Sequence, residues 1–242
     1  MSTIKVNKIE NTATANGGIA IDASGHVTVD GVQLPNAGQL SNRNLIINGA
    51  MQVSQRATQV TGVTTSGYIT CDRYYLLASN LGTWTIDQST DAPDGFANSF
   101  KATCTTADAS PASGDALLVR QAIEAQNLQH LKFGTSTAES LTLSFYVKSN
   151  KTGAASVDMY QPDASNRQIS KSYTISSANT WEYKTITFPG DTSGVINDDN
   201  EVGLYVEFWL NSGSQFNSGS HQTTWGALSQ TTRNASNLGV GG

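Results

Sequence analysis

Two stretches carry the clearest alternation of apolar and polar positions. Over residues 201–210, Val202, Leu204, Val206, Phe208 and Leu210 alternate with Gly203, Tyr205, Glu207 and Trp209. Over 140–148, Leu141, Leu143, Phe145 and Val147 alternate with Thr142, Ser144, Tyr146 and Lys148. A period of two marks a strand with one face in a core. In both stretches the second face is polar and aromatic together, which predicts that it meets a ligand or another subunit rather than water alone.

Shorter alternations fill the rest of the body. Residues 44–51 read as a short strand ending in the Asn48-Gly49 turn, and 52–70 as loop with one short strand. Residues 72–77 and 82–87 read as the two arms of a hairpin, followed by strands over 96–104, 116–123, 154–160, 168–175 and 180–188. One short helix is expected over 124–131, where Leu128 and Leu131 stand three apart. About nine strands with turn signals between them predict an all-β, two-sheet jelly-roll β-sandwich.

The first forty residues differ. Ile4, Val6 and Ile9 are isolated apolar points, and then Ile19/Ile21, Val27/Val29 and Val32/Leu34 form very short alternating pairs, with Ala23-Ser24-Gly25 and Asp30-Gly31 as turns. Strands that bury two side chains each make no core alone, and isolated hairpins are marginal in water. Residues 1–40 are therefore expected to be a short-stranded oligomerisation and attachment arm that shares a core with sister copies, ahead of a body over 41–226. The Ser/Gly/Thr/Asn-rich end, 227–242, is expected to be a flexible tail, with Trp225 before it an anchor onto the body or a neighbour.

Composition narrows the partners. Charged residues are only 14% and the net charge is −5, with no basic stripe, which argues against nucleic acid. No apolar run reaches the length of a membrane span, and the N-terminus lacks a signal-peptide core, so synthesis in a cytoplasm without export is expected. Cys71 and Cys104 have no metal-site spacing and are expected to be free and buried.

Residues 42–56, Asn-Arg-Asn-Leu-Ile-Ile-Asn-Gly-Ala-Met-Gln-Val-Ser-Gln-Arg, with Gly67-Tyr68 and Cys71-Asp72-Arg73-Tyr74 beyond them, resemble the opening of a family of bacteriophage tail-fibre or capsid-fibre virion proteins. Residues 144–153, 180–188 and 208–210 are similar to that family's jelly-roll body, itself similar to carbohydrate-binding modules. Residues 2–10 resemble the particle-attachment end of such fibres. The resemblance implies a virion protein made in the bacterial host, partnered by itself, by other tail or capsid proteins and by a host-surface polysaccharide. Homotrimer is the expected state, since three-fold packing gives short strands a shared apolar axis. Residues 237–242 depart from that family's final strand, which ends in Gly-Val-Gln-Leu-Glu, so the sandwich is expected to lack its last strand or to borrow one from a neighbour.

Candidate chemistry is sparse. The three histidines, His26, His130 and His221, lie in no nucleophile or metal motif, and no enzyme is expected. A glycan-cleaving spike would need two facing carboxylates, for which Asp158 and Glu207 are the pair that could share a face. For glycan binding, the polar-aromatic face offers Tyr146, Asp158, Tyr160, Tyr205, Glu207 and Trp209; the competing reading is that these aromatics pack under a loop or a neighbouring subunit, as buried aromatics most often do. Residues 191–201 hold oxygen ligands of the kind Ca²⁺ takes, around Asp198 and Asp199, without EF-hand spacing.

Overall fold

The structure, a computed structural model, describes residues 8–10, 18–21, 27–29, 32–33 and 44–241. The chain divides into two units, Met1–Leu45 and Ile46–Gly242.

The first unit contains a four-stranded antiparallel meander: β1 (Lys8–Glu10), β2 (Gly18–Ile21), β3 (Val27–Val29) and β4 (Val32–Gln33). Ile9 pairs with Ile19 across β1 and β2, and both side chains are exposed. Ile4, Val6 and Leu34 lie outside the described residues, as do the side chains of Ile21, Val29 and Val32, while Val27 is half-buried.

The second unit is all-β, a sandwich of antiparallel sheets. Its strands are β5 (Gln59–Gly67), β6 (Tyr74–Ser89), β7 (Ser99–Thr106), β8 (Ala116–Glu124), β9 (Leu141–Val147), β10 (Gly153–Gln161), β11 (Arg167–Ile175), β12 (Glu182–Phe188), β13 (Val202–Ser212) and β14 (Gly226–Ala227). The large sheet runs β14-β11-β10-β13-β8-β6-β5, with β7 on the far half of β6, and β9 pairs with β12 in a second sheet. The expected helix is a 3-10 helix, Ala125–Leu131, with Leu128 and Leu131 buried.

The alternation of β13 divides two environments. Leu204 and Val206 are buried on the core face, and Phe208 lies edge-on to Phe145 of β9, ring centroids 5.0 Å apart. Phe145 also meets Tyr173 of β11 at 5.0 Å, so the β9–β12 pair covers the core face of the β10–β11–β13 region. Under β6 and β8 the core continues through Leu76, Trp84, Ile86, Leu117 and Val119. This aliphatic and aromatic burial is the main stabilising contribution, about 1.5–3 kcal/mol for each large side chain removed from water.

Three expectations change. Residues 72–77 and 82–87 are two halves of one bent strand, β6, rather than a hairpin: Asn80 (φ 53°) and Gly82 (φ 70°) bend the chain without reversing it. A Cβ on Gly82 would sit 2.4 Å from the Thr106 carbonyl oxygen, so the bend requires glycine there. The apolar stretch at 44–51 forms turns, not a strand. Within it the backbone of Ile47 bonds a side chain: the Ile47 N–H donates to Gln121 Oε1 at 2.7 Å, and Gln121 Nε2 donates to the Ile47 carbonyl at 2.9 Å. The buried Gln121 amide thus serves as a strand partner of one residue.

The third concerns the end of the chain. Residues 227–241, expected as a flexible tail, are tied down as part of a longer strap over 213–241. Asn234 is fully buried, Leu228 N–H bonds the Asn166 carbonyl, and Val240 N–H bonds the Leu210 carbonyl at 3.0 Å. Trp225 anchors on the body, donating to the Pro189 carbonyl at 2.7 Å with its ring against Phe133. Apart from Phe216, Trp225 and Val240, which pack on the body, hydrogen bonding holds this segment, which is why its composition reads as a loop.

Candidate functional site

The polar face of the large sheet is where the chemistry concentrates. Neighbouring strands bring Asp158 opposite Glu207, and Tyr160 opposite Tyr205, on β10 and β13. On the other side of β13, β8 sets Arg120 opposite Glu207, and β6 sets Tyr75 opposite Arg120. Directly opposed side chains in an antiparallel pair stand about 5 Å apart, so these registers build one continuous row.

Two carboxylates at opposed positions repel unless a cation joins them. The cation arrives from the strap. Arg233 Nε donates to Asp158 Oδ2 at 3.0 Å, and Arg233 Nη2 pairs with Glu207 Oε2. The second oxygen of each carboxylate is also held: Trp209 Nε1 donates to Asp158 Oδ1 at 2.8 Å, and Arg120 Nη1 stands 3.4 Å from Glu207 Oε1. Both carboxylates have 0% exposure. Burial pushes the Asp158 carboxyl above its usual range, opposed by the Arg233 charge and the Trp209 hydrogen bond. Phe216 of the strap covers Trp209 at 5.2 Å, and His221 bridges Ser170 and Ser236 with Nε2 2.9 Å from Ser236 Oγ. Burial holds the His221 imidazole below its ordinary pKa.

Beyond the strap the row opens to solvent. Tyr160 and Tyr205 are half-buried and stacked, centroids 5.6 Å apart and planes 8° from parallel. Arg120 lies over Tyr205 at 4.4 Å and over Tyr75 at 5.0 Å. Tyr75 meets the exposed Tyr68 edge-on at 5.1 Å, and Arg56 lies over Tyr68. Across β6, β8, β13 and β10 the row thus runs tyrosine, guanidinium, tyrosine, tyrosine, each ring fixed by its neighbour. Beside Tyr205 is an open groove of ≈ 580 Å³ whose lining includes Asp163, Asn197, Glu201 and Pro162. Asp163 is held in place by the N–H and side-chain amide of Asn197, at 3.0 and 3.3 Å. Flat rings, carboxylate and amide oxygens and guanidinium donors are the groups that hold a polyhydroxylated ring.

Of the six residues expected to form a glycan face, the fold brings together Asp158, Tyr160, Tyr205, Glu207 and Trp209. Tyr146 lies apart, on the outward face of β9. Among the five, only Tyr160 and Tyr205 stand at an open surface; Trp209 and the two carboxylates lie under the strap. In this arrangement Asp158 and Glu207 do not reach a sugar. Sequence reading passed over Tyr75, Arg120 and Arg233. Arg233 did leave a signal, as the one Lys, Arg, Asp or Glu between 213 and 242.

No metal group emerges around Asp198 and Asp199. Asp198 is exposed, Asp199 accepts the Glu201 N–H at 2.9 Å, and among the described residues no three His, Cys, Asp or Glu side chains gather to hold an ion. Cys71 is buried and Cys104 half-buried, both free. No helix among the described residues is long and apolar enough to cross a membrane.

No family model and no curated protein matches the chain. Two solved structures are similar at low level. The enzymatically active domain of bacteriophage CBA120 tailspike protein 4 is 16% identical, with a TM-score of 0.38 over 68% of this chain and 19% of that one. A family 16 carbohydrate-binding module is 14% identical, with a TM-score of 0.29 over 58% of this chain and 77% of that one. The chain thus spans about a fifth of the tailspike chain, and at these TM-scores neither likeness carries the argument below.

Proposed function

We propose that this chain is a subunit of a bacteriophage virion appendage, a tail fibre or head fibre, whose body binds a host-surface glycan. The observation that carries the reading is the open row Tyr75–Arg120–Tyr205–Tyr160 beside the groove at Asp163 and Glu201. The rings take each other and the guanidiniums on their faces and turn their edges to the groove, where a sugar meets them, and Asp163, Asn197 and Glu201 offer acceptors to its hydroxyls; Arg120 and the stacked pair hold the platform in shape before any ligand arrives. The fibre-like motifs at 42–74 support a virion setting for such a body, and the paired, exposed Ile9 and Ile19 would give the arm apolar surface to share with sister copies in a trimer. Several weak sites on one particle then act together through effective concentration.

The mode of action is adhesion rather than turnover. Asp158 and Glu207 are committed to Arg233, which leaves the facing carboxylates of a glycosidase without access to substrate. The test is affinity electrophoresis of wild type and Tyr205→Ala against a panel of host-derived polysaccharides. Retardation by at least one polymer, weakened about tenfold by the substitution, is expected from the loss of the Tyr205 ring edge at the groove and of the support it gives Tyr160 and Arg120. A variant that folds and binds as wild type does would remove the platform from the site.

A further inference from the structure

The β9–β12 sheet turns a second surface outward. Alternation places Thr142, Ser144 and Tyr146 on its outer face in β9, and Tyr183, Thr185 and Thr187 opposite them in β12. All six are exposed. Tyr183 is 58% exposed and Tyr146 42%, and their rings lie 5.1 Å apart at 51°. Phe96, 43% exposed, continues the row with its ring 5.7 Å from Tyr146. Three rings thus lead into two facing ranks of hydroxyls, joined at the far end where Thr142 and Thr187 hydrogen-bond at 3.1 Å.

Charge is neutralised at the margin. Lys148 pairs with Asp91 at 2.7 Å, and Trp181 Nε1 donates to the same carboxylate at 3.1 Å. Lys184 and Glu182 pair at 2.6 Å. At the far end Lys171 Nζ donates to the Thr187 carbonyl at 2.6 Å. A surface of rings and neutral hydroxyls, its marginal charges ion-paired or hydrogen-bonded, matches an uncharged partner.

We propose that this outer face is a second glycan-contact site, for a neutral polysaccharide chain lying along β9 and β12. The competing occupant is a sister copy. Seven residues at about 3.3 Å each and two strands each about 4.8 Å wide give a face of about 220 Å², far below the about 800 Å² per partner of a stable interface. A polymer needs only a narrow track and forms hydrogen bonds with the outward hydroxyls. The site shares no residue with the Tyr205 platform, so it stands or falls separately from the function proposed above.

The experiment is affinity electrophoresis through dextran and galactomannan, with alginate as the charged comparison, using the full chain in the Tyr205→Ala background. Tyr183→Ala removes the most exposed ring, Tyr183→Phe keeps it, and Thr185→Val removes a hydroxyl while keeping the strand. The expected result is binding to at least one neutral polymer and not to alginate, weakened about tenfold by Tyr183→Ala, less by Thr185→Val, and kept by Tyr183→Phe. Absence of binding to either neutral polymer overturns the proposal, as does unchanged binding by the folded Tyr183→Ala and Thr185→Val variants. If Tyr183→Ala instead splits a dimer in analytical ultracentrifugation, the face belongs to a sister copy and the proposal fails.

Discussion

Removing Arg233 is the sharpest perturbation of the body. The substitution Arg233→Ala leaves Asp158 and Glu207 at opposed positions on neighbouring strands with 0% exposure, and of their cationic partners only Arg120 remains, 3.4 Å from Glu207. Breaking a buried ion pair by deleting one partner costs about 3–5 kcal/mol. For a domain of this size each kcal/mol moves the melting temperature by about 2–4 °C, so a fall of roughly 6–20 °C is expected at pH 8. The deficit also has a pH signature. Burial already holds the Asp158 carboxyl above its unfolded value, and removing the Arg233 charge lifts it further. A carboxyl raised in the folded state binds more protons there than in the unfolded chain, so its contribution falls as pH rises from the unfolded value through the folded one. The gap between variant and wild type is therefore smallest near pH 4 and widest at pH 8. Replacing all three residues together, Asp158→Asn, Glu207→Gln and Arg233→Met, removes the charge conflict and should recover much of the loss. Calorimetry of the three proteins at both pH values decides it. A fall of less than about 3 °C for Arg233→Ala at pH 8, or a gap that narrows with rising pH, would refute the reading of the strap as an electrostatic closure.

Four further outcomes follow from the same geometry. Glu182 accepts the Ser176 and Ser177 N–H groups at 2.8 Å each and pairs with Lys184, which holds its carboxyl down at about 2; its contribution is full above its ordinary 4.5 and is lost as pH falls toward about 2, so exchange protection at those two amides should vanish over that window. His221 is held below its ordinary 6.5, so its contribution is full above that value and is lost as pH falls below it; a nuclear magnetic resonance midpoint above 6.5 would contradict its burial under the strap. Gly213→Ala should destabilise by more than about 2 kcal/mol in urea titration, because its Cβ would lie 1.8 Å from the Ala112 carbonyl oxygen where the strap begins. Deleting residues 1–40 should leave the body folded and abolish incorporation into particles; deletants that still assemble onto virions would assign attachment elsewhere.

How far the residues alone reached is visible strand by strand. The parities of β13 and β10 were legible, because each strand buries aliphatics on one side and the period of two leaves little freedom. That parity put Tyr160, Tyr205, Glu207, Asp158 and Trp209 on one face. Parity within a strand does not say which sheet the strand joins, and Tyr146 was misplaced for that reason: β9 pairs with β12, away from the others. The bend in β6 read as a turn, since Asn80 and Gly82 favour positive φ whether the chain reverses or only kinks. Gln121 gave no sign that its amide would stand in for a strand partner of Ile47. The strap was the largest omission. Its order comes from polar contacts of Arg233, Asn234 and His221 with groups far away in sequence, and periodicity is blind to those. The departure at 237–242 from the fibre pattern was legible; that Val240 bonds the Leu210 carbonyl at the end of β13 was not.

The measurement closest to the central claim is hydroxyl-radical footprinting of wild type with and without a saturating host-surface polysaccharide. Protection is expected at Tyr75, Tyr160 and Tyr205, with Trp209 unreactive in both states because the strap already covers it. Protection that leaves Tyr160 and Tyr205 as reactive as in the free protein, or a Trp209 that is labelled before ligand is added, would contradict that claim.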